Sequence, residues 1–181
     1  MKFIKGELEG LYIIEPTIYT DDRGYFYESY RKDLFKEKTG FLGEFVQDNE
    51  SYSTKNVLRG LHFQLPPFAQ AKLVRVIHGE VLDVAVDIRK NSPTFGQHQK
   101  VVLSCENKRM FFIPEGFAHG FLTLSEIAVF SYKCSNLYAP NYEGGFAWND
   151  PVLKIDWTEK NPIVSSKDAQ LRYFDTFTNL K

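Results

Sequence analysis

Apolar and polar residues alternate along most of this chain, in short runs that Gly- and Pro-containing turns interrupt. The clearest alternation places aliphatic side chains on one face of a predicted strand and carboxylates on the other: Leu82, Val84, Val86 and Ile88 against Asp83 and Asp87. Successive side chains of a strand point to opposite faces, so we expect the aliphatic face to pack into a core.

Most other segments have the same period of two, or are rich in Val, Ile, Phe and Tyr. They predict strands over residues 25–31, 45–52, 58–64, 72–77, 81–88, 97–104, 109–113 and 127–135. Segments 72–77 and 81–88 are expected to pair as a hairpin across His78-Gly79-Glu80. Helix is predicted only over 32–38, ended by Gly40, and from a start at 165–169 with Ser165 as N-cap.

Short strands separated by frequent turns are typical of a mainly β fold, here an antiparallel β-barrel or jelly roll with short peripheral helices. The length of 181 residues predicts one domain over residues 1–181. Lys and Arg number 22 and Asp and Glu 23, so the formal charge of -1 argues against a nucleic-acid partner.

The chain opens MKFIKGELEG, without an apolar signal segment, and its two cysteines have no CxxC spacing. We therefore expect a cytoplasmic protein with no disulfide. No apolar stretch approaches the roughly 20 residues that a membrane-spanning helix needs, so we expect no membrane association.

Two of the four histidines lie in informative contexts. His62 lies on a predicted strand in Arg59-Gly60-Leu61-His62, where strict alternation would put Arg59 and His62 on opposite faces. If both line one pocket, Gly60 must mark a bulge or a strand end. His62 therefore fits a residue that lines a pocket and also an ordinary strand histidine.

Three further residues are noteworthy, and the pattern around each of them also has a purely structural explanation. Lys72 shares the face of Val74 and Val76, which is unusual for a lysine, although a lysine at a strand end often reaches solvent. Tyr132 fits either a core tyrosine or an acid that donates a proton to a carbanion. Asp168, three residues after Ser165, resembles a capping position.

His119 ends the segment Pro114-Glu115-Gly116-Phe117-Ala118-His119, which resembles the second motif of cupin barrels. Metal-binding cupins supply three or four converging ligands, whereas the segment that matches their first motif reads His62-Phe63-Gln64 here. We therefore expect no metal and no other cofactor.

Several motifs in order resemble the dTDP-4-dehydrorhamnose 3,5-epimerase family, the dTDP-sugar epimerases of the cupin-like superfamily, from residue 3 to about 174. They are DDRGYFYES at 21–29, VQDN at 46–49, VLRGLHFQ at 57–64, AKLVRVIHGEVLDVAVDIRKNSPTFG at 71–96, IPEGFAHGFL at 113–122, YKCSNLYAP at 132–140, WNDP at 148–151 and SSKDA at 165–169.

This resemblance implies epimerisation at C3 and C5 of a 4-keto-6-deoxyhexose on thymidine diphosphate, by proton removal α to the C4 ketone and reprotonation from the opposite face. His62 would be the base, Asp168 the residue that orients it, and Tyr132 the proton donor. Lys72 would stabilise the enolate, with His119 nearby.

The resemblance also implies a homodimer, with the N-terminal strand exchanged between subunits, and the following substrate-binding residues: Arg23, Glu28, Gln47, Asp48, Asn49, Arg59, Lys72, His119, Tyr138, Glu143 and Lys167. Tyr138 would stack on the thymine ring. Three alternatives stay open: an epimerase of C3 or C5 alone, a nucleotide-sugar-binding barrel without catalysis, and a metal-dependent cupin enzyme.

Overall fold

The computed structural model describes residues 1–175, which form two packed antiparallel sheets and a small third one. The six-stranded sheet has the order β1-β2-β10-β7-β12-β5, the five-stranded sheet β13-β6-β11-β8-β9, and β3 pairs with β4. In chain order the elements are β1 Lys2–Lys5, β2 Tyr12–Glu15, β3 Tyr19–Asp21, β4 Gly24–Phe26, α1 Lys32–Thr39, β5 Gln47–Thr54, β6 Leu58–Gln64, β7 Lys72–His78, β8 Glu80–Asp87, β9 His98–Ser104, β10 Met110–Ile113, β11 Phe117–Thr123, β12 Ile127–Cys134 and β13 Glu143–Gly145, with 3₁₀ turns at Pro140–Tyr142 and Asp168–Gln170. The predicted mainly β, jelly-roll-like fold is confirmed.

The core lies in three layers, one between the large sheets, one outside the five-stranded sheet, and one in which Phe35 of α1 packs against Leu73 and Phe112 of the six-stranded sheet. Side chains of both sheets fill the first layer, among them Val74, Ala85 and Phe130. The second layer packs the outer face of β8 and its neighbours against the C-terminal segment through Trp157 and Phe174. Two buried faces explain why all but the first residue of β8 are buried.

The alternation in β8 is confirmed, with one consequence that the sequence did not indicate. The aliphatic face packs in the outer layer, as the core prediction required. Asp83 and Asp87 lie on the opposite face, but that face is buried too, and both residues are fully inaccessible to solvent. Asp83 alternates there with Val81 and Ala85, which belong to the layer between the sheets.

The predicted hairpin of segments 72–77 and 81–88 is wrong. β7 pairs with β10 and β12, whereas β8 pairs with β9 and β11 in the other sheet. The chain crosses between the sheets at Gly79, whose φ of 77° is easily adopted only by glycine. A tight connection therefore joins the two sheets here, because β7 and β8 each pair with other strands of their own sheet.

The other predicted elements are found with different extents. β6 and α1 match closely, and Gly40 ends α1 in the left-handed conformation. The strand predicted over 25–31 is limited to β4. The helix start at 165–169 is a single 3₁₀ turn, in which the Asp168 N–H donates to Ser165 Oγ at 3.0 Å. β11 was not predicted as a strand, and no helix within residues 1–175 is long and apolar enough to cross a membrane.

Candidate active site

Two adjoining cavities, of about 260 and 470 Å³, share His62, Lys72 and Tyr132 as walls. The larger cavity reaches the core between the sheets, where Phe121 and Phe130 line it. The residues that the sequence nominated for chemistry therefore come together, although they derive from β6, β7 and β12 of two different sheets.

His62 is held by a carboxylate from the C-terminal segment. Its Nε2 lies 2.7 Å from Oδ1 of Asp168, and the other carboxylate oxygen accepts the N–H of Gly60 at 3.2 Å. Burial raises the pKa of Asp168, but the hydrogen bond and charge of His62 outweigh it, so the net pKa is lowered. Asp168 is therefore an ionised acceptor that orients the imidazole, and Ser165 caps the same turn.

Gly60 is the site of the bulge that the sequence required. His119 on β11 is opposite His62 and Phe121 is opposite Arg59, so β6 has one residue more than β11 in this interval. Gly60 has a φ of 118°, and a Cβ there would lie 2.6 Å from Gly120 Cα. The bulge places Arg59 and His62 along the same cavity.

Lys72 lies at the start of β7, on the face that Val74 and Val76 continue into the core. It lines both cavities. Burial lowers the pKa of its ammonium group, while the charges of Cys134, Asp83 and Glu143 oppose this effect. The interpretation of Lys72 as a solvent-directed strand end is therefore wrong.

Tyr132 lies on β12 beside Phe130, with ring centroids 6.0 Å apart. Within residues 1–175 its hydroxyl makes no hydrogen bond, unlike that of a satisfied core tyrosine. Burial raises the pKa of Tyr132 above its usual value, so the phenol keeps its proton at neutral pH. The residue combines an available proton with a position on the cavity wall.

His119 lines the larger cavity and is paired with a carboxylate that sequence reasoning had not assigned to the site. Its Nε2 lies 3.0 and 2.9 Å from the two oxygens of Asp83. The sequence contains one indication that Asp83 belongs to the site. It alternates with Val81 and Ala85 on a strand whose other face is also apolar. Such a position is costly for a carboxylate unless it has a partner.

A second charged cluster borders the smaller cavity. Glu143 accepts the Tyr138 hydroxyl at 2.7 Å and the Lys167 ammonium at 2.5 Å. Burial raises the pKa of Glu143, but these two hydrogen bonds outweigh it and leave the pKa lowered. Tyr138 remains half exposed, and its backbone N–H donates to Gln47 Oε1 at 3.0 Å.

Strand alternation separates the three nominated residues at the start of β5. Gln47 and Asn49 line the smaller cavity and are hydrogen bonded to each other at 3.0 Å. Asp48 points to the opposite face, where Lys133 Nζ contacts its carboxylate oxygens at 2.9 Å. Asp48 is thus not brought into either cavity.

Arg23 and Glu28 also lie away from both cavities. Arg23 pairs with Asp21 in the turn between β3 and β4, and its side chain is 90% exposed. Glu28 lies 4.0 Å from Arg31 at the surface. Neither residue contributes to the site within this chain. Among residues 1–175, no group of three or more His, Cys, Asp or Glu side chains is arranged to hold a metal ion.

Comparison with known proteins agrees with this geometry. A family model described as dTDP-4-dehydrorhamnose 3,5-epimerase matches residues 5–176. The chain is 55% identical over 174 residues to dTDP-4-dehydrorhamnose 3,5-epimerase of Shigella flexneri, which covers 96% of each protein.

Two solved structures are similar over almost the whole chain. The crystal structure of dTDP-4-dehydrorhamnose 3,5-epimerase from Elizabethkingia anophelis NUHP1 has a TM-score of 0.94 and 53% identity, and covers 97% of each chain. That of dTDP-6-deoxy-D-glucose-3,5-epimerase RmlC from Legionella pneumophila Philadelphia 1, in complex with dTDP-4-keto-L-rhamnose, has a TM-score of 0.93 and 51% identity, and covers 96% of this chain and 93% of that chain. The chain therefore belongs to the dTDP-4-dehydrorhamnose 3,5-epimerase family.

Proposed function

We propose that this protein is an isomerase that converts dTDP-4-dehydro-6-deoxy-D-glucose to dTDP-4-dehydro-L-rhamnose, in dTDP-rhamnose-type deoxysugar biosynthesis, without a metal or other cofactor. The observation that carries the proposal is the convergence of His62, Lys72 and Tyr132 on shared cavity walls. Epimerisation next to a ketone needs a base, a stabiliser for the enolate and an acid on the opposite face, and these side chains supply them.

His62 removes the proton at C3 or C5, and its ionised partner Asp168 favours the imidazolium that forms. The electron pair of the broken C–H bond moves onto the C4 oxygen. The ammonium group of Lys72 stabilises this enolate from the cavity wall, where charge interactions are stronger than in bulk water, and His119 lies nearby. Tyr132 then donates its proton to the carbon from the other face, and solvent restores both proton-transfer groups.

The smaller cavity suits the nucleotide end of the substrate. Tyr138 is half exposed beside it, so its ring has a free face for the thymine. Lys167 and Arg59, which line the adjoining larger cavity, supply positive charge for the diphosphate. Lys167 is hydrogen bonded to Glu143, and Arg59 to Ser53. These contacts keep the two cationic side chains oriented. Gln47 and Asn49 add amide groups on the wall of the smaller cavity.

We also propose a homodimer in which the β3–β4 hairpin reaches the partner subunit. The hairpin and the residue preceding it expose apolar side chains to solvent in the single chain: Ile18, Tyr19, Tyr25 and Phe26. Burying them against a second copy removes an apolar surface from water. In their own chain, Arg23 and Glu28 lie away from the candidate active site. An exchanged hairpin carries both residues toward the active site of the partner subunit, where they can bind substrate.

Two further expectations stay part of the proposal. Residues 1–181 act as one domain, because the outer core layer joins the C-terminal segment to the five-stranded sheet. The protein works in the cytoplasm, which is consistent with Cys105 and Cys134 both being free thiols.

The decisive experiment follows deuterium at C3 and C5 by NMR when chelator-treated protein acts on dTDP-4-dehydro-6-deoxy-D-glucose in D₂O. Incorporation at both carbons with turnover to the L-rhamno product is expected. His62→Ala should abolish incorporation at both carbons while dTDP binding stays nearly unchanged. Incorporation at one carbon would replace the proposal by a mono-epimerase.

Three other outcomes would contradict the proposal or part of it. Nucleotide binding without exchange would favour a binding barrel. Activity that a chelator removes and a divalent metal restores would favour a metal-dependent cupin enzyme. Exchange that persists in His62→Ala would overturn the assignment of His62 as the base.

A further inference from the structure

The carboxylate of Asp83 is a buried charged group beside the larger cavity to which the reaction assigns no step. Asp83 is fully inaccessible to solvent, and its strand neighbours on the same face are Val81 and Ala85. Within residues 1–175, the hydrogen bonds of its carboxylate go to Nε2 of His119 alone, at 3.0 and 2.9 Å. A fully buried carboxylate with one polar partner is costly to the fold, so a functional reason for keeping it is expected.

The contact fixes the protonation of the His119 ring. An ionised carboxylate has only acceptor sites, so Nε2 must carry a proton in order to bind it. The two ring nitrogens point in divergent directions, and Nδ1 makes no hydrogen bond to residues 1–175. His119 lines the larger cavity, and Nε2 is already bound to Asp83. Nδ1 is therefore the ring atom that can hydrogen bond to a ligand in this cavity.

Packing holds the ring in this orientation. The imidazole lies parallel to Phe130 within 23°, with centroids 6.1 Å apart, and only 8% of the residue is exposed. The charge of Asp83 also acts on Lys72, whose pKa it raises against the effect of burial. The carboxylate therefore lies behind His119 and also acts on Lys72, the cation that stabilises the C4 oxygen in the proposed reaction.

We propose that Asp83 is a positioning residue, whose carboxylate holds the His119 ring with Nε2–H directed into the sheet and Nδ1 presented to the substrate sugar. The proposal rests on the proposed function for its effect on rate. Its structural part, the state of the ring, is independent of which sugar the protein uses.

The variant that tests it is Asp83→Asn, which keeps the shape of the side chain. An amide both donates and accepts, so it can bind Nε2 in either protonation state and no longer selects one tautomer. Asp87→Asn is the matched control. Asp87 lies on the same strand and face and is equally inaccessible, but Arg89, Ser92 and Thr94 bind it, and it lines neither cavity.

The first measurement is the ¹⁵N–¹H correlation spectrum of the histidine rings in the protein without substrate. The chain has only four histidines, so His119→Gln assigns the signals of His119 by difference. We expect a protonated Nε2 in the wild type and in Asp87→Asn, and a changed tautomer distribution in Asp83→Asn. A bare Nε2 of His119 in the wild-type protein would overturn the proposal, and this result does not depend on the folding of Asp83→Asn.

The second measurement is turnover of dTDP-4-dehydro-6-deoxy-D-glucose, with thermal unfolding as the check on folding. We expect Asp83→Asn to lower kcat/KM by about 10- to 100-fold, the range typical of an outer partner that orients a functional histidine. The Kd for dTDP should stay within about 2-fold. Asp87→Asn should lower Tm and leave kcat/KM unchanged.

A merely structural Asp83 would show a lower Tm with kcat/KM within about 2-fold of wild type and an unchanged His119 spectrum, and the proposal would then be wrong. If the wild-type protein fails to turn over this sugar, the proposed function fails instead. The His119 spectra still decide the role of Asp83 in that case.

Discussion

Nε2 of His62 lies 2.7 Å from Oδ1 of Asp168, although the two residues are 106 positions apart in the sequence. The same carboxylate accepts the backbone N–H of Gly60 through its second oxygen. One side chain from the C-terminal segment thus fixes both the imidazole and the bulge that presents it. Burial raises the pKa of Asp168, but the contact with His62 and the hydrogen bonds of Gly60 and Ser165 together lower it below the ordinary value, so Asp168 is ionised at neutral pH.

Asp168→Asn should lower kcat/KM by about 10²- to 10³-fold, within the range of a general base that loses its charged partner. The amide can still fill the space, but it neither stabilises the imidazolium nor selects the tautomer with a free base nitrogen. The Kd for dTDP, measured by titration calorimetry, should stay within about 3-fold. A kcat/KM close to wild type would show that His62 acts without this partner.

Tyr132→Phe should separate the two halves of the reaction. His62 can still remove the proton and return deuterium to the same face, so exchange in D₂O persists while inversion is lost. NMR of the sugar measures both. Loss of exchange together with inversion would mean that Tyr132 is also needed to form the enolate.

The wild-type pH profile gives a separate check on Tyr132. Burial raises the pKa of its phenol, and the protonated form is the active one. The alkaline limb that belongs to Tyr132 should therefore lie above the ordinary tyrosine value of about 10, and a limb at lower pH is expected from Lys72, whose pKa burial lowers. An alkaline limb that stays in place in Tyr132→Phe would belong to another group.

Local pattern predicted eight of the thirteen strands within residues 1–175, β4 to β10 and β12, and the direction of several side chains that line the site. The period of two placed Lys72 on the interior face with Val74, and the spacing of Arg59 and His62 required a bulge at Gly60. These conclusions succeed because side-chain direction in a strand depends on near neighbours alone.

Partners distant in the chain were harder to predict. Alternation placed Asp83 on the face opposite the core residues, but could not show that this face meets His119 in the interior. The connection at Gly79 looks like a hairpin locally and becomes a crossing between sheets, because the partners of β7 and β8 come from later strands. Asp168 satisfied a local capping pattern, so its contact with His62 was expected only from family resemblance.

Gly60→Ala should destabilise the protein far more than Gly24→Ala, although both glycines have a similar positive φ, 118° and 123°. An added Cβ at Gly24 meets nothing within 4 Å, whereas at Gly60 it lies 2.6 Å from Gly120 Cα and 2.7 Å from the His119 carbonyl oxygen. Backbone strain alone costs about 1–3 kcal/mol. Chemical denaturation should show that cost for Gly24→Ala and more than about 3 kcal/mol for Gly60→Ala. Equal losses would mean that β6 and β11 separate easily at the bulge.

Asp87→Asn should produce a stability loss that depends on pH in a defined direction. Burial raises the pKa of Asp87, but hydrogen bonds from Arg89, Ser92 and Thr94 outweigh it and lower the pKa to about 2, from an ordinary value of 3.8. A carboxyl with a depressed pKa in the folded state stabilises the protein above its unfolded pKa, and this stabilisation declines as the pH falls toward the folded pKa. The lowered pKa corresponds to about 2 kcal/mol of the free energy of unfolding at neutral pH.

Urea unfolding of the wild type and Asp87→Asn at a series of pH values measures this contribution. The difference in unfolding free energy should be constant from about pH 7 to 5, since Asp87 is ionised in both the folded and the unfolded wild type there. Below about pH 4 the difference should narrow, because the unfolded wild-type chain begins to take up a proton that the folded protein does not. A difference that stays constant down to pH 3 would show that the asparagine variant loses packing and hydrogen bonds at this site and not the charge of Asp87.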